Sequence, residues 1–276
     1  MDQISPLQHA SATTLRRPSQ DKHELYERSV QDPPGDVRTL TTLYRRYRKR
    51  DPLSLREDFC GTAALAAAWA RSSRERTSIG VDLHRPTLEW GRKHRVGTLD
   101  PTAAARVRLI CGDVRRVRRE TVDIICALNF SYFVLKERQQ LLRYFRAARC
   151  GLAHDGLLIV DILGGHGAMK AEQEKERLGG FTYIWEQETF NPLSHEFRCH
   201  IHFRSRDGKA LRRAFTYDWR LWTAPEIRDL LHEAGFSAVH LLWERTDRTG
   251  KGTGAYSEPK RVENQELWWT YIVAGV

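Results

Sequence analysis

Several features are scarce in this 276-residue sequence, and each shortage excludes a class of protein. No apolar run approaches the roughly 20 residues of a membrane-spanning helix, and the N-terminal segment lacks the apolar core of a secretion signal. The five cysteines do not form the close pairs that metal sites use. We therefore expect a soluble protein of the reducing cytoplasm, with no membrane partner, no disulfide framework and no metal site.

Acidic residues are also in deficit: 45 Lys and Arg outnumber 35 Asp and Glu, which gives a formal net charge of +10. Such a surplus suits a nucleic-acid partner, because clustered cations neutralise phosphates. The basic residues lie in three separated clusters, namely Arg45, Arg46, Arg48, Lys49 and Arg50; Arg92, Lys93 and Arg95; and Arg115, Arg116, Arg118 and Arg119. We interpret these clusters as solvated faces, with an RNA-facing patch as the alternative.

The most informative stretch runs from Leu53 to Ala70, LSLREDFCGTAALAAAWA. An apolar run ends in two acids and a Cys-Gly-Thr turn, which predicts a strand, a tight loop and a helix N-terminus. Such a junction directs unpaired backbone N–H groups at a ligand. Glu57 and Asp58 would repel a phosphate there but suit an ammonium group or ribose hydroxyls. A nicotinamide-binding turn needs Gly-x-Gly-x-x-Gly, which this loop lacks, so an oxidoreductase is disfavoured.

Three further apolar strands lead into polar residues. The strand over residues 78–82 ends in Asp82, the strand over 107–111 precedes Asp113, and the strand over 122–128 precedes Asn129. The carboxyl ends of parallel strands share one edge of a sheet, which is where open α/β folds bind ligands. We therefore expect these polar groups to lie along a single binding edge.

With acids at successive strand ends, the chain from Leu53 onward resembles the class I S-adenosylmethionine-dependent methyltransferases. The resemblance implies S-adenosylmethionine as cofactor and an α/β fold, a Rossmann-like seven-stranded mixed sheet with helices on both faces. It implies cofactor contacts from Glu57 at the methionine part, Cys60 and Gly61 in the loop, Asp82 at the ribose hydroxyls, Leu83 against the adenine, Asp113 and Val114 at the adenine edge, and Asn129. The loop departs from the family's glycine-rich pattern at Phe59 and Ala63.

The remaining pattern predicts how the chain is organised. Residues 1–50 are expected to form a disordered tail, to about residue 20, and an N-terminal helical segment, whereas residues 51–276 form the methyltransferase domain. Period-two alternation over about 180–222, with a hairpin turn at Asp207-Gly208, predicts an inserted antiparallel sheet that follows a polar helix over 168–178. A strand over 238–244, a Gly-rich connection from Arg245 to Gln265 that is either mobile or functional, and a closing antiparallel strand complete the prediction.

Candidates for the acceptor side of the site lie on loops and on the insert. Asn129-Phe130-Ser131-Tyr132 has a partial likeness to the Asn-Pro-Pro-Tyr motif of amino-group methyltransferases acting on nucleic-acid bases, although neither proline is present. The predicted substrate-binding residues are Tyr132, Trp185, Trp219 and Arg220, and Tyr26 and Gln31 either close the same pocket or only pack their helix. His166 and Tyr132 are candidates for catalysis, but no base is assigned, because positioning alone contributes about 7–11 kcal/mol.

The sequence thus favours a methyltransferase that acts on an O, N or C nucleophile of a small molecule, with the acceptor unidentified. An RNA methyltransferase acting on a base is the alternative, favoured by the net charge of +10. A non-catalytic binding module on the same fold is a weaker one. The aromatic insert is also a candidate homodimer surface.

Overall fold

The structure is a computed structural model, and it describes residues 21–117, 121–249 and 252–276. The expected disordered tail, Arg118 and Arg119 lie outside the described residues. The helices are α1 (Lys22–Val30), α2 (Pro33–Arg48), α3 (Ala64–Ser72), α4 (Arg85–His94), α5 (Pro101–Ala104), α6 (Arg138–Cys150) and α7 (Ala224–Glu233). The strands are β1 (Ser54–Asp58), β2 (Thr77–Asp82), β3 (Val107–Cys111), β4 (Val122–Ala127), β5 (Leu152–Gly164), β6 (Glu172–Leu178), β7 (Phe181–Phe190), β8 (Glu196–Ser205), β9 (Ala210–Arg220), β10 (Ala238–Leu241), β11 (Trp243–Thr246), β12 (Gly252–Ser257) and β13 (Trp268–Gly275).

The predicted seven-stranded mixed sheet is confirmed, with strand order β10-β13-β5-β4-β1-β2-β3. Strands β1 to β5 run parallel, and β13 is antiparallel to both β5 and β10. Every residue of β4 is buried, as expected for a central strand covered on both faces. One apolar cluster includes residues of α6 and α7, and a second includes residues of α2 and α3, so helices cover both faces of the sheet.

The inserted sheet has four antiparallel strands, β6 to β9, where the sequence predicts three. The predicted polar helix over 168–178 is wrong, because Glu172–Leu178 forms β6 and pairs along its whole length with β7. Glu172, Glu174 and Glu176 alternate along β6, and this period of two outweighs the low strand propensity of glutamate. The hairpin at Asp207-Gly208 is confirmed: it joins β8 to β9, and Gly208 has a φ of +86°.

The predicted strand over 238–244 is divided at Leu242. Strand β10 pairs with β13 and β11 pairs with β12, while the side chain of Leu242 is buried between the two pairs. The connection from Arg245 to Gln265 therefore carries a short hairpin. Arg46 of α2 fixes it by donating to the Tyr256 carbonyl oxygen (2.8 Å) and to the Glu258 carboxylate (3.0 Å).

The two N-terminal helices pack against the rest of the chain. Asp21 caps α1 by accepting from the His23 and Glu24 N–H groups, and its carboxylate also accepts from the Trp90 indole of α4 (2.7 Å). On its other side, α1 reaches the insert through Arg28, which donates to the Gly179 carbonyl oxygen (2.7 Å). Helix α1 is thus tied to both α4 and the insert. Within the described residues, no helix has the length and apolarity needed to cross a membrane.

Candidate functional site

The loop between β1 and α3 follows a left-handed path without a glycine-rich sequence. Phe59, Gly61 and Ala63 have φ values of +58°, +52° and +57°, a region in which non-glycine residues cost roughly 1–2 kcal/mol each. The Cys60 N–H donates to the Val81 carbonyl oxygen (3.0 Å), and the Ala63 N–H donates to the Cys60 carbonyl oxygen (2.8 Å). The first bond ties the loop to β2 and the second closes the loop on itself, and together they hold it in a conformation that glycine would otherwise favour.

Gly91 of α4 lets that loop approach the helix. A Cβ atom at this position would lie 2.1 Å from the Thr62 carbonyl oxygen, so Gly91→Ala must displace the loop or the helix. We expect the free energy of unfolding of this variant to be lower by about 1–3 kcal/mol. The clash outweighs helix propensity, which favours alanine over glycine by about 1 kcal/mol. Urea denaturation measures the difference. Gly112→Ala is the control, because its Cβ would meet only a side-chain carbon of Ile110 at 3.6 Å, and a Gly91 variant as stable as wild type would contradict the prediction.

Two acids predicted from the sequence meet at the carboxyl ends of β1 and β2. Asp82 accepts from the Gly61 N–H (2.9 Å) and the His84 N–H (2.8 Å), so it fixes the loop and begins α4. Glu57 accepts from the Ala66 N–H at the N-terminus of α3 (2.9 Å). Burial, together with the neighbouring carboxylates Asp36, Asp82 and Glu27, raises the pKa of Glu57 to about 8. Each carboxylate can therefore accept from the backbone N–H groups around it and also contact a ligand.

Asp58, the other acid of this junction, is committed to a buried ion pair. The Arg56 guanidinium donates to its two carboxylate oxygens at 2.9 and 3.0 Å, and neither side chain is exposed. Residues two apart in a strand point to the same face, whereas Glu57 points to the opposite face. The sequence offered both acids to a ligand, but of the two only Glu57 has no basic partner among the described residues.

A cavity of about 510 Å³, here called the edge cavity, lies above these strand ends. Of the predicted cofactor-binding residues, Glu57, Cys60, Gly61, Asp82 and Asn129 line it. The Cys60 thiol is buried and its pKa is raised well above the usual range, so it contributes an uncharged group to the cavity wall. The N-terminal helices contribute His23, Tyr26, Gln31 and Asp36 to the same cavity.

Asp36 adds an acid that the sequence analysis did not identify. Burial and the neighbouring Asp32 carboxylate raise its pKa to about 7, and Asp36 in turn raises the pKa of Glu57. The only sequence signal is an acid in the first turn of a helix, where aspartate is common for reasons of helix capping. Its position beside Glu57 follows from packing of α2 against the sheet.

The other predicted cofactor contacts do not line this cavity. Leu83 is 68% exposed beside Asp82, and Val114 is packed in the core. Asp113 accepts from the Arg115 guanidinium (2.7 Å) and backbone N–H (2.9 Å), and these hydrogen bonds lower its pKa despite partial burial. The structure therefore brings together the acids of β1 and β2 but leaves Asp113 paired with an arginine of its own turn.

The loop after β4 is fixed from below by Asp161 of β5. The Phe130 and Asn129 N–H groups donate to its carboxylate, and the Tyr132 hydroxyl donates to its carbonyl oxygen (2.8 Å). Burial raises the pKa of Asp161 to about 7, while the two backbone donors oppose that shift. Tyr132 is fully buried and lines neither cavity, and its predicted substrate-binding and catalytic roles stay predictions.

A second cavity of about 640 Å³, here called the insert cavity, is lined by residues of all four strands of the inserted sheet. It shares four wall residues with the edge cavity, Tyr26, Asn129, Tyr217 and Trp219. Burial raises the pKa of Tyr26 to about 12, and hydrogen bonding to Tyr217 opposes that shift. The four shared side chains form a junction through which two ligands could meet.

The predicted acceptor-side residues divide into two groups. Trp185 lines the insert cavity and Trp219 lines both cavities, as does Tyr26 from the N-terminal helix. Arg220 lines neither cavity: its guanidinium donates to the Glu226 carboxylate (3.1 Å) and stacks on Trp222, and its predicted substrate-binding role stays a prediction. His166 is exposed and lines neither cavity.

Comparison with solved structures identifies the fold. A S-adenosylmethionine-dependent methyltransferase from Clostridium acetobutylicum is 18% identical, with 91% of this chain and 96% of that chain covered and a TM-score of 0.65. An amino pentose methyltransferase from Micromonospora echinaspora, solved with S-adenosylmethionine bound, is 17% identical over 95% of this chain and 99% of that chain, with a TM-score of 0.63. A sugar N-methyltransferase from a Streptoalloteichus species is 16% identical, over 96% and 97% of the two chains, also with a TM-score of 0.63.

No protein-family model matches the chain, and comparison with curated proteins finds no match. At identities of 16–18% the structural likeness establishes the fold and not the substrate. The fold is that of S-adenosylmethionine-dependent methyltransferases.

Proposed function

We propose that this chain, which has the fold of S-adenosylmethionine-dependent methyltransferases, transfers the methyl group of that cofactor to a nucleophilic atom of a small molecule. The observation that carries the proposal is the pair of cavities joined at Tyr26, Asn129, Tyr217 and Trp219. One cavity has the chemistry for the cofactor, and the other has room for an acceptor.

The edge cavity fits the cofactor because its charges are complementary. S-adenosylmethionine has an ammonium group, a sulfonium and a ribose with two hydroxyls. Glu57 and Asp36 would stabilise the positive charges, since burial and neighbouring acids raise the pKa of both carboxyls and a bound cation would favour their charged forms. Asp82 would accept from the ribose hydroxyls through its carboxylate, whose position the Gly61 and His84 N–H groups fix.

When bound, the cofactor supplies an electrophilic methyl group on a positively charged sulfur. The chain would contribute position and exclusion of water. The Asn129 backbone is held by Asp161, and Trp219 packs against Trp185 (ring centroids 6.1 Å) and Tyr217 (4.5 Å), so the junction has rigid walls. Neither His166 nor Tyr132 borders either cavity, and we therefore propose that the acceptor enters with its nucleophile already deprotonated or loses its proton to water.

A small-molecule acceptor is favoured over RNA by how the basic residues are used. Arg50 of the first cluster pairs with Asp123 (2.7 Å) and Asp155 (2.8 Å), Arg95 of the second pairs with Glu27, and Arg115 of the third pairs with Asp113 (2.7 Å). Cations engaged in such pairs are less available to phosphates. We propose that most of the surplus charge serves the fold.

We also propose that the insert acts as a substrate lid rather than as a dimer surface. Its outer face carries ion pairs, including Arg213 with Glu188 (2.9 Å) and Arg198 with Asp218 (2.7 Å). A stable dimer interface usually has an apolar centre. The aromatic side chains instead face inward, where Tyr183, Trp185 and Tyr217 line the insert cavity.

Asp82→Ala tests the cofactor assignment. We expect the variant to bind S-adenosylmethionine about 5- to 100-fold more weakly, because two ribose hydroxyls lose their acceptor, a loss of about 1–3 kcal/mol. Isothermal titration calorimetry measures the affinity, and Asp82→Asn, which retains one acceptor oxygen, should lose less.

Asp113→Ala is the matched control for that experiment. Its carboxylate is held by Arg115 and it does not line the edge cavity, so we expect a smaller loss of affinity. No measurable binding by the wild-type protein, or equal losses in the two alanine variants, would reject the assignment of Asp82. Production of S-adenosylhomocysteine against a metabolite collection, with total RNA as a parallel substrate, would then test methyl transfer itself.

A further inference from the structure

The insert cavity is acidic although the chain as a whole is basic. Strand β6 places Glu172, Glu174 and Glu176 along the cavity wall at alternate positions, and residues two apart in a strand share a face. Glu174 is paired in register with Trp185, and Glu176 with Tyr183. Each carboxylate therefore stands next to an aromatic side chain on the neighbouring strand.

These glutamates lack the cationic partners that most acids of this protein have. Among the described residues, neither Glu174 nor Glu176 forms an ion pair or a side-chain hydrogen bond, whereas nearby Lys170 pairs with Glu266. Lys175 also borders the cavity, but it lies between the glutamates in the sequence of β6, and neighbouring residues of a strand point to opposite faces of the sheet. Burial raises the pKa of Glu176, so a carboxylate without a cation at this wall is costly.

Two buried polar atoms of the cavity wall also lack partners within the described part of the chain. One is the Tyr183 hydroxyl, although the residue is only 3% exposed. The Trp219 indole N–H is likewise buried without an acceptor among the described residues. Buried polar groups are nearly always hydrogen-bonded, and those left over in a cavity wall indicate where a ligand supplies the missing partner. Glu174 and Glu176 both raise the pKa of the Tyr183 hydroxyl, which places all three groups close together.

We propose that the insert cavity binds an organic ammonium group of the methyl acceptor, held by the Glu174 and Glu176 carboxylates against the rings of Tyr183 and Trp185. Carboxylates neutralise such a cation, and aromatic faces attract it through their quadrupole. The Tyr183 hydroxyl oxygen would accept a hydrogen bond from the ammonium N–H. The place of this group in catalysis rests on the proposed function, but the binding site itself does not.

The position of the glutamates separates the charged group from the reacting atom. Glu174 and Glu176 border only the insert cavity, whereas Tyr26, Asn129, Tyr217 and Trp219 border both cavities. Methyl transfer would take place at the junction, where the cofactor and the acceptor meet. The acceptor is therefore a molecule with a nucleophilic atom at one end and an ammonium group at the other, and the glutamates select it by charge.

Binding of matched probes tests this inference without any methyl transfer. The probes are 1-naphthylmethylamine, its neutral isostere 1-naphthalenemethanol and the anion 1-naphthoate, titrated into the full chain by calorimetry with S-adenosylhomocysteine present. We expect the wild-type protein to bind the ammonium probe about tenfold or more tightly than the alcohol, and the carboxylate most weakly, as for a hydrogen-bonded charge pair.

The Glu174→Gln, Glu176→Gln double variant should lose this preference and retain the affinity for the alcohol, because glutamine preserves the shape of the wall. Glu75→Gln is the control for charge, since Glu75 is exposed and lines neither cavity. Circular dichroism establishes that each variant is folded. Absence of binding by all probes, equal binding of the amine and the alcohol, or a preference retained by the double variant would overturn the inference.

The same titrations keep this inference separate from the proposed function. Failure of S-adenosylhomocysteine to bind would contradict the cofactor site and hence the proposed function, whereas ammonium selectivity would still be measurable in the insert cavity. Cofactor binding without ammonium selectivity would instead retain the methyltransferase proposal and reject the acceptor class.

Discussion

Arg56→Met is expected to lower the free energy of unfolding by about 3–5 kcal/mol, because it leaves the buried Asp58 carboxylate without its cation. The guanidinium makes two hydrogen bonds to Asp58 and a third to the Val117 carbonyl oxygen (3.1 Å). Gly151 provides the space for it, since a Cβ atom there would collide with the guanidinium. Urea denaturation followed by circular dichroism measures the loss.

The double variant Arg56→Met, Asp58→Leu is the control for that result. It removes both charges and leaves no uncompensated carboxylate, so most of the lost stability should return. The recovery would show that the cost belongs to the unpaired acid and not to lost packing of the arginine stem. A loss below about 1 kcal/mol in the single variant would mean that water reaches Asp58, and the ion pair would then not be a buried one.

The affinity for S-adenosylmethionine is expected to rise as the pH increases from about 6 to about 9, with release of protons on binding. Burial and neighbouring acids raise the pKa of Glu57 to about 8 and that of Asp36 to about 7, so these groups hold protons near neutral pH in the empty protein. A bound cation favours the carboxylate forms and expels the protons. Calorimetry in two buffers of different ionisation enthalpy counts them.

A rise in pH has the opposite effect on the stability of the unliganded protein, which it lowers. The pKa of Glu57 rises from 4.5 in the unfolded chain to about 8 in the folded one, so the folded protein binds more protons between these values. Stability therefore falls as the pH rises through this window, and the cofactor counteracts the fall.

Glu57→Gln should remove most of the pH dependence and weaken cofactor binding about 10- to 100-fold, because the positive charges lose their main carboxylate. The amide oxygen can still accept from the Ala66 N–H, so the cap on α3 is retained. Glu75→Gln serves again as the surface control. An affinity that is independent of pH in the wild-type protein would contradict the assignment of Glu57 and Asp36.

The sequence correctly predicted those features whose position depends on residues that are close in sequence. The junction at Leu53 to Ala70 predicts the loop, and strands that end in Glu57 and Asp82 predict a shared edge, because parallel strands align their carboxyl ends. The hairpin at Asp207-Gly208 was predictable for the same reason, since turn chemistry acts over a few residues.

Packing between segments that are distant in sequence decided which of the predicted side chains are free to face a cavity. Glu57 and Asp58 are adjacent in sequence, but Arg56 neutralises only Asp58, because side chains of a strand alternate between faces. Asp113 ends a strand as Asp82 does, yet Arg115 holds its carboxylate. Tyr132 follows Asn129 by three residues, yet its hydroxyl is directed into the core.

The sequence by itself thus determined the fold class, the sheet edge where the polar strand ends meet and the acids of β1 and β2, because periodicity and strand-end chemistry are properties of short segments. The tertiary structure alone decided that Asp36 and Tyr26 reach the site from the N-terminal helices, and that the glutamates of β6 face the aromatic rings of the insert. In sequence alone, the acidic segment of β6 resembles an exposed helix, and its pairing with β7 is what makes it a strand. Contacts between segments far apart in sequence depend on how hydrophobic faces pack, which no single segment encodes.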